Sequence, residues 1–273
     1  MIRCRTLAAA LVATIGLAQE PTATTGRIDM PGQIPGLAVT DLKATWTAPA
    51  GWTAETWQRL GIGAAALVGL SLALDRPVDR GVRRSNLSSF DPWAKRLDTL
   101  GGTGTIVVAG GAYLGGLLAD QPKVREFGAD AAFAMLVAQV GIVYPAKYLV
   151  GRSRPTVEAG PASFTPLRGD PSFPSAHAAQ AFTLATVISA YADNPWASAA
   201  AYGGATLVGL ARIEQRAHFV SDVAAGAAIG VLSAKAVMLR HRTLRLAADR
   251  RVDLSCAPVW NGNRAGLQVR VQF

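Results

Sequence analysis

Long apolar segments separated by short polar stretches dominate the middle of the chain. Most of these segments are longer than an ordinary strand and are bounded by turn-forming residues, so the pattern predicts helices. Asp91-Pro92 and Asn194-Pro195 support two of the helix starts, because each pair offers a capping side chain followed by proline at the first helical position. The predicted helices cover residues 53–74, 91–119, 124–150, 176–192, 195–212 and 217–243.

The end of the chain follows a different period. Leu267, Val269 and Val271 alternate with polar residues, which is typical of a strand, and the turn signal Asn261-Gly262 precedes them. We therefore expect an all-α fold, a bundle of about six core helices, with a short C-terminal β-hairpin. The strands of that hairpin would be residues 252–260 and 265–273.

The residues before the bundle form two parts. Residues 1–18 combine Arg3 and Arg5 with a short apolar run over 7–17, which is typical of an export signal peptide; an uncleaved anchor helix is the alternative. Residues 19–51 are rich in Pro, Thr and Gly and lack periodicity, so we expect an extended arm. The helical domain then covers residues 52–246, and the hairpin tail covers residues 247–273.

Composition limits the classes of partner. The formal net charge is +9, which favours anionic partners such as phosphates, membrane lipids or nucleic acid. Nucleic acid is excluded from the expected partners because the sequence has no zinc-finger spacing, no RNA-binding signature and no alternation of aromatic and basic residues.

Two membrane arrangements stay open. Six apolar segments resemble a six-span protein, yet most charge-free runs are shorter than the ~20 residues that a bilayer needs. Basic residues after the first segment would also lie outside if that segment crossed from the cytoplasm, against the positive-inside tendency. We expect an exported protein, periplasmic or membrane-associated. The alternative is an integral inner-membrane protein whose site faces the periplasm.

The first stretch with candidate chemistry contains Lys147 and Arg154-Pro155. Lys147 and Arg154 are seven positions apart, which is two helical turns, so a helix would place both on one face. Two cations on one face suit an anion between them, and the guanidinium fork binds phosphate through two hydrogen bonds. Taken alone, this stretch is better interpreted as a solvated or lipid-facing basic helix end.

The second stretch is Pro174-Ser175-Ala176-His177, at the start of an apolar run. A helix that begins here would aim free backbone N–H groups and its dipole at an anion, and the Ser175 hydroxyl would add a hydrogen bond. His177 could donate a proton to a leaving oxygen. The alternative is a plain serine cap with the histidine packed beside it.

The third stretch contains Arg212, His218 and Asp222. His218 and Asp222 are four positions apart and would meet on a helix. A carboxylate at one ring nitrogen fixes the tautomer and leaves the other nitrogen as a nucleophile. Arg212 would bend back as a third phosphate ligand. A surface His–Asp pair on a helix is the alternative.

Together, the order Lys-x6-Arg-Pro, Pro-Ser-x-His and Arg-x5-His-x3-Asp resembles the type 2 phosphatidic acid phosphatase (PAP2) and vanadium haloperoxidase superfamily. The motifs cover 76 residues, from Lys147 to Asp222. Two positions depart from the family pattern. Ala176 stands where the family usually has glycine, and Ala211 stands where it usually has serine.

The resemblance implies a metal-independent phosphatase that hydrolyses phosphate monoesters or lipid phosphates and diphosphates through a phosphohistidine. In that mechanism His218 attacks phosphorus, Asp222 orients it and His177 protonates the leaving alkoxide. No cofactor is expected. The phosphate-binding residues would be Lys147, Arg154, Ser175, Ala176 and Arg212.

Two other functions stay open. The same residues would hold vanadate in a haloperoxidase, and a degenerate site would leave a non-catalytic anion-binding membrane protein. Among the remaining basic residues, Arg168 is a candidate for an extra contact, although a plain surface position is the preferred interpretation. His241 is expected at a basic helix end that faces solvent or headgroups.

Overall fold

The structure is a computed structural model that describes residues 28–85, 91–167, 169, 171–249, 253–261 and 264–272. The signal peptide predicted for residues 1–18 and the candidate residue Arg168 lie outside the described residues.

Seven helices form the body of the described part of the chain. Three of them contain an internal π-helical stretch, at Ser71–Asp75, Leu100–Gly104 and Val137–Val143. The helices are α1 (Ile34–Thr47), α2 (Ala54–Arg84), α3 (Asp91–Thr99, continued by Leu100–Gly104 and Thr105–Leu118), α4 (Pro122–Val150), α5 (Ala176–Ala192), α6 (Pro195–Glu214) and α7 (Val220–Asp249).

Helix ends follow local sequence chemistry. The Oδ1 of Asn194 accepts hydrogen bonds from the backbone N–H of Trp196 at 2.8 Å and of Ala197 at 3.4 Å, so the predicted cap of α6 is confirmed. α4 ends at Val150 and is followed by Gly151, whose φ of 60° is left-handed. An added Cβ at Gly151 would lie 2.2 Å from the carbonyl oxygen of Thr165. Only glycine fits there, and the chain turns away from the helix just before Arg152.

Small residues bring α5 and α7 close together. A Cβ at Gly226 would lie 2.3 Å from the carbonyl oxygen of Ser175, and one at Gly230 would lie 2.3 Å from that of Ala179. The two glycines are four positions apart on α7, so they form one smooth face against which α5 packs. This packing fixes the start of α5 against the first turns of α7.

The main hydrophobic cluster lies where α1, α4, α5 and α7 meet. Its buried side chains include Leu37, Phe133, Val137, Val187 and Val237. These residues come from four helices, so burial of this cluster joins distant parts of the chain.

The extended arm expected for residues 19–51 is wrong for its described part, because Ile34–Thr47 is helix α1. Ile34, Leu37 and Ala38 have the i, i+3, i+4 spacing of a helical face, and they contact the main cluster. Proline in the first turn of α1 is tolerated since the N–H it lacks would have no partner there. The high Pro and Gly content therefore concealed a short amphipathic helix.

The expected fold class also needs correction. The fold is all-α with seven described helices instead of about six, and no strand belongs to the described body at 28–249. The expected C-terminal hairpin is not an element of that fold. Residues Asp253–Asn261 and Arg264–Gln272 lie outside that body and pair with each other in an antiparallel register.

His241 is not at a solvent-facing end, as the sequence suggested. Its ring is fully buried between two carboxylates, with Nδ1 at 2.7 Å from Asp130 Oδ1 and Nε2 at 2.9 Å from Asp41 Oδ2. Basic neighbours in the sequence hid these partners, which come from α4 and α1. His241 thereby links three helices.

Within the described residues, four helices are long and apolar enough to cross a membrane, judged by length and composition: Ala54–Arg84, Pro92–Leu118, Pro122–Val150 and Val220–Ala248. The apolar window of the first is not buried at all by the rest of the protein. Large apolar side chains such as Leu72 and Leu118 are 80% and 86% exposed. These apolar surfaces indicate a membrane-associated protein.

Candidate functional site

The candidate residues gather where the end of α4, the start of α5 and the α6–α7 junction meet. The backbone N–H of Ser175 donates to the carbonyl oxygen of Asp222 at 3.0 Å. The N–H of His218 donates to the carbonyl oxygen of Arg212 at 3.3 Å. The two stretches that carry His177 and His218 therefore lie at the same end of the bundle.

His218 lies beside Asp222 in a buried position. Its exposed fraction is 3%, and its Nδ1 is 3.8 Å from Asp222 Oδ2, longer than a hydrogen bond. Nδ1 has no hydrogen-bond partner among the described residues. His218 precedes α7 and does not stand on it, so the expected i, i+4 pair on one helix is wrong in detail. Asp222 lies in the first turn of α7 and its Oδ2 accepts from the N–H of Phe219, the residue before the helix, at 2.9 Å.

The His218 imidazole is held neutral. Burial lowers its pKa to about 4, because the charged ring is poorly solvated there. Asp222 opposes this effect, while the positive charges of Lys147 and Arg212 reinforce it. A neutral ring keeps a lone pair, so His218 can act as a nucleophile at neutral pH.

His177 lies between an acidic residue and the cations. Its Nε2 is 3.3 Å from Asp98 Oδ1. Burial is the largest cause that lowers its pKa, followed by the charge of Arg212, which Asp98 opposes. Lys147 and Arg154 lower the pKa of His177 further. Through these charges the three candidate cations all act on one imidazole.

Arg212 stands on the last turn of α6 and is nearly buried, at 8% exposure. Its Nη1 donates to Asp98 Oδ1 and, at 2.7 Å, to Gln215 Oε1. Its buried Nε has no hydrogen-bond partner among the described residues. A buried donor without a partner is unfavourable, and an anion at this point would satisfy it.

Lys147 and Arg154 reach the site by different routes. Lys147 Nζ donates to the carbonyl oxygen of Pro171 at 2.7 Å, and Arg154 Nη1 donates to that of Ala217 at 3.4 Å. Because α4 ends at Val150, the expectation that both side chains share one helical face is wrong. Arg154 has extended backbone angles and lies in a separate segment.

Ser175 and Ala176 form the start of α5, as expected. Ser175 is the N-cap and accepts from the N–H of Ala178 at 3.4 Å. Ala176 is the first helical residue and has no positive φ. Alanine therefore fits this backbone as well as the glycine that stands here in the family pattern.

Gly102 makes room for His177. A Cβ at this position would lie 2.8 Å from His177 Nε2, closer than side-chain contacts allow. Gly102 belongs to the π-helical stretch of α3, and such stretches often occur at functional sites. The other two π-helical stretches also supply residues here, with Gln139 donating to the carbonyl oxygen of Ala176 at 3.0 Å and Asp75 contacting the Asp222 network.

Asp98, Asp75, Arg152 and Gly102 were not among the sequence candidates. Asp98 and Asp75 come from helices outside the three motifs, and no spacing rule connects them to those motifs. The only local signal for Arg152 was its place in a basic segment. Among the described residues, no group of three or more His, Cys, Asp and Glu side chains is arranged to hold a metal ion.

Two comparisons with known proteins give matches, and one of them covers the region of the chain that carries the motifs of this site. Residues 128–246 match the family described as the PAP2 superfamily. The chain is also 38% identical over 94 residues to Lipid A 1-phosphatase of Porphyromonas gingivalis, a match that covers 34% of this chain and 19% of that protein. No solved structure matches.

The matched region holds every motif and both histidines of the site. Residues 128–246 therefore match the superfamily that the motifs predicted, and this prediction is confirmed over that region.

Proposed function

We propose that the protein is a phosphatase that hydrolyses lipid phosphates through a phosphohistidine at His218. The observation that carries the proposal is the state of His218, a buried neutral imidazole whose Nδ1 faces Asp222 and whose surroundings are cationic. Such a ring can attack an electrophile that brings negative charge with it, as a phosphate does.

In the first step, phosphate oxygens lie among Lys147, Arg154 and Arg212, with the Ser175 hydroxyl and the free N–H groups of α5. The Nε2 of His218 forms a bond to phosphorus while the bond from phosphorus to the ester oxygen breaks. His177 gives its proton to the departing alkoxide. The negative charge of the bound phosphate favours protonated His177, which offsets the lowering of its pKa by the cations.

In the second step, water attacks phosphorus and the bond to His218 breaks. His177, neutral after the first step, takes the proton of the attacking water. Inorganic phosphate leaves, and both histidines return to their starting states. The positive charge that stabilises the equatorial oxygens comes from side chains, so the mechanism uses no metal ion.

Three observations support a lipid phosphate as the substrate. The relative from Porphyromonas gingivalis is named for a lipid substrate. The site lies at the ends of the four helices that could cross a membrane. Exposed basic side chains also follow the apolar part of α2 and begin α3, where they would meet anionic headgroups; they are Arg76, Arg80, Arg83, Arg84, Lys95 and Arg96.

We further propose that the helices cross the membrane. The export signal predicted at residues 1–18 supports a site that opens on the periplasmic side, although the basic residues at this end go against the positive-inside tendency. The unburied apolar window of α2 would be unfavourable in water and favourable in lipid. Release of the protein from membranes only by detergent is the expected result of fractionation. Release by high salt alone would contradict the spanning arrangement.

The side of the membrane is tested by labelling. Arg84→Cys, in a chain whose Cys4 and Cys256 are replaced by Ala, should react in intact cells with a maleimide that does not cross the inner membrane. Labelling that requires lysis would place this end of α2 in the cytoplasm and contradict the periplasmic assignment.

Activity is tested with the purified protein in detergent micelles. We expect hydrolysis of phosphatidate, and His218→Ala should lower kcat by at least about 10³-fold, because the nucleophile is lost. Wild type mixed rapidly with radiolabelled phosphatidate and quenched in alkali should carry an acid-labile phosphoryl group that His218→Ala lacks. Arg59→Gln, a change at a half-buried position on α2 outside the site, is the control and should retain activity.

Equal activity of wild type and His218→Ala would overturn the assignment of the nucleophile. The lipid assignment is tested separately. We expect kcat/KM for phosphatidate to exceed that for p-nitrophenyl phosphate at least about tenfold, because interactions with the lipid stabilise the transition state. A preference for the soluble ester would contradict the lipid substrate while leaving the phosphatase intact.

A further inference from the structure

A buried arginine outside the predicted site lies directly behind the Asp222 carboxylate. Arg152 is 3% exposed, and its guanidinium forms two ion pairs. Nη1 donates to Asp222 Oδ1 at 2.6 Å, and Nη2 donates to Asp75 Oδ2 at 2.7 Å. One guanidinium therefore bridges two buried carboxylates from α2 and α7.

Every edge of this guanidinium has a partner. Nε donates to the carbonyl oxygen of Pro161 at 2.8 Å, and Nη1 also donates to Ser221 Oγ at 2.7 Å. The ring of Phe219 lies 4.4 Å from the guanidinium carbon and covers one face. Arg152 cannot turn without breaking several contacts, so it holds a fixed position behind Asp222.

Asp75 binds the Arg152 guanidinium at Nη2, whereas Asp222 binds it at Nη1. It is 1% exposed and lies in the π-helical stretch of α2. Its Oδ1 accepts from the backbone N–H of Ser221 at 3.0 Å, and its Oδ2 accepts from Ser221 Oγ at 2.6 Å. Asp75 thus contacts both Arg152 and the residue next to Asp222.

The contacts divide the two oxygens of Asp222 between different tasks. Oδ1 is bound by Arg152, and Oδ2 accepts from the N–H of Phe219 and faces His218. The carboxylate cannot rotate away from the imidazole while both contacts are made. The charges matter too, because two carboxylates and one guanidinium leave one net negative charge in a buried place.

We propose that Arg152 and Asp75 are positioning residues that hold the Asp222 carboxylate against His218 and leave it charged enough to stabilise the cationic phosphoimidazole. This inference rests on the proposed function. Asp75 shares the positive charge of Arg152, so that Arg152 does not neutralise Asp222 completely. When His218 becomes cationic, its charge matches the remaining negative charge of the cluster.

The test uses Asp75→Asn, which has nearly the same shape and keeps one acceptor oxygen but has no charge. Asp222 would then be the one charged partner of the Arg152 guanidinium in this cluster. We expect kcat for phosphatidate to fall about ten- to a hundredfold, as for other outer partners of catalytic groups, with KM changed less than about twofold. Formation of the phosphoenzyme in a single turnover should slow by the same factor.

The pH dependence of kcat distinguishes the positioning role from a loss of stability, because a loss of stability would not shift its acidic limb. Activity needs neutral His218, and the charged groups that act on it are Asp222 on α7, Lys147 on α4 and Arg212 on α6, together with the Asp75–Arg152 pair behind Asp222. Removing a negative charge makes protonation of the ring harder. The acidic limb should therefore move to lower pH in Asp75→Asn.

Asp29→Asn is the matched control. Asp29 pairs with Arg125 Nε at 2.6 Å, and both side chains are 2% exposed. Arg125 precedes Lys147 by 22 positions on α4, roughly 30 Å along the helix. This variant breaks an equally buried Asp–Arg pair at the opposite end, so it should lower the Tm but leave kcat and the pH profile of the folded protein unchanged.

Arg152→Lys provides a second variant, since one ammonium cannot bind both carboxylates in the geometry of a guanidinium fork. We expect kcat of Arg152→Lys to be lower than that of wild type, although the positive charge is kept. If Asp75→Asn matches Asp29→Asn in kcat and in pH profile, the positioning role is wrong even though His218→Ala is inactive. If His218→Ala is as active as wild type, the proposed function itself is wrong.

Discussion

His218 and His241 are both buried histidines on or next to α7, yet their surroundings are opposite. His218 faces one carboxylate at 3.8 Å, and cationic side chains lie around it. His241 touches two carboxylates, at 2.7 Å and 2.9 Å, and both ring nitrogens are engaged. The Nδ1 of His218 has no hydrogen-bond partner among the described residues, whereas both nitrogens of His241 have one.

The difference shows that burial alone does not make a histidine reactive. A ring clamped between Asp41 and Asp130 links α1, α4 and α7, and its hydrogen bonds serve the fold. A ring that one carboxylate orients and several cations surround keeps a lone pair and attracts an anion. The following predictions test this contrast, beginning with the largest expected effect.

The carboxylate partners of the two rings should have different effects when their charge is removed. Asp222→Asn should lower kcat about 10³- to 10⁴-fold if His218 is the nucleophile as proposed, because its orienting and charge-stabilising partner is then lost. Asp130→Asn should leave kcat per folded molecule within about twofold, since Asp130 contacts His241, Tyr191 and Arg245 and no site residue. Activity assays on the folded fraction measure kcat of both variants. Equal losses of kcat would contradict the difference between the two histidine sites.

His241→Ala should reduce stability and spare catalysis. The change leaves Asp41 and Asp130 without their shared partner, although Arg240 and Arg245 stay nearby. Breaking a buried pair of this kind costs about 3–5 kcal/mol. Unfolding followed by circular dichroism in detergent micelles measures the loss, and a Tm like that of wild type would mean that the clamp contributes little.

The low pKa of His218 predicts a pH dependence of stability. Its pKa falls from an ordinary value of 6.5 to about 4 in the folded protein, so between these pH values the unfolded chain binds more protons. The contribution of His218 therefore lowers the free energy of unfolding as pH falls from about 6.5 towards 4, by about 3 kcal/mol at most. His218→Gln should remove this part of the slope; an unchanged slope would show that the ring titrates normally.

Asp98 offers the smallest and sharpest test, because it contacts both Arg212 and His177. In Asp98→Asn the cations lower the pKa of His177 without opposition, so the basic limb of kcat should move to lower pH and kcat at neutral pH should fall about tenfold. Arg212 also loses its carboxylate partner and keeps only the neutral Gln215, so inorganic phosphate should inhibit more strongly. If the basic limb does not move, Asp98 does not control the protonation of His177.

Much of the site was predictable because its residues lie in three short stretches with fixed spacing. The motifs indicated the family, and the match over residues 128–246 confirms it. The caps at Ser175 and Asn194 were also predictable, since a capping side chain acts on N–H groups only two or three residues away. Roles of the individual site residues stay predictions.

The features that the sequence concealed depend on distant contacts. Asp75, Asp98 and Gly102 come from α2 and α3, and only packing brings them beside α5 and α7. His241 was misassigned because its nearest sequence neighbours are basic, while its partners stand 111 and 200 positions away. Helix α1 was missed because proline and glycine in its first turn outweighed a short apolar face.

The close approach of Gly102 to His177 has an evolutionary consequence. The ring of His177 occupies space that exists only because Gly102 has no side chain, since a methyl group there would come within 2.8 Å of Nε2. A single nucleotide change that introduces alanine would displace the imidazole without altering any charge or hydrogen-bonding group. Inactive descendants of this protein could thus keep every motif residue intact, and inspection of the motifs alone would count them as active.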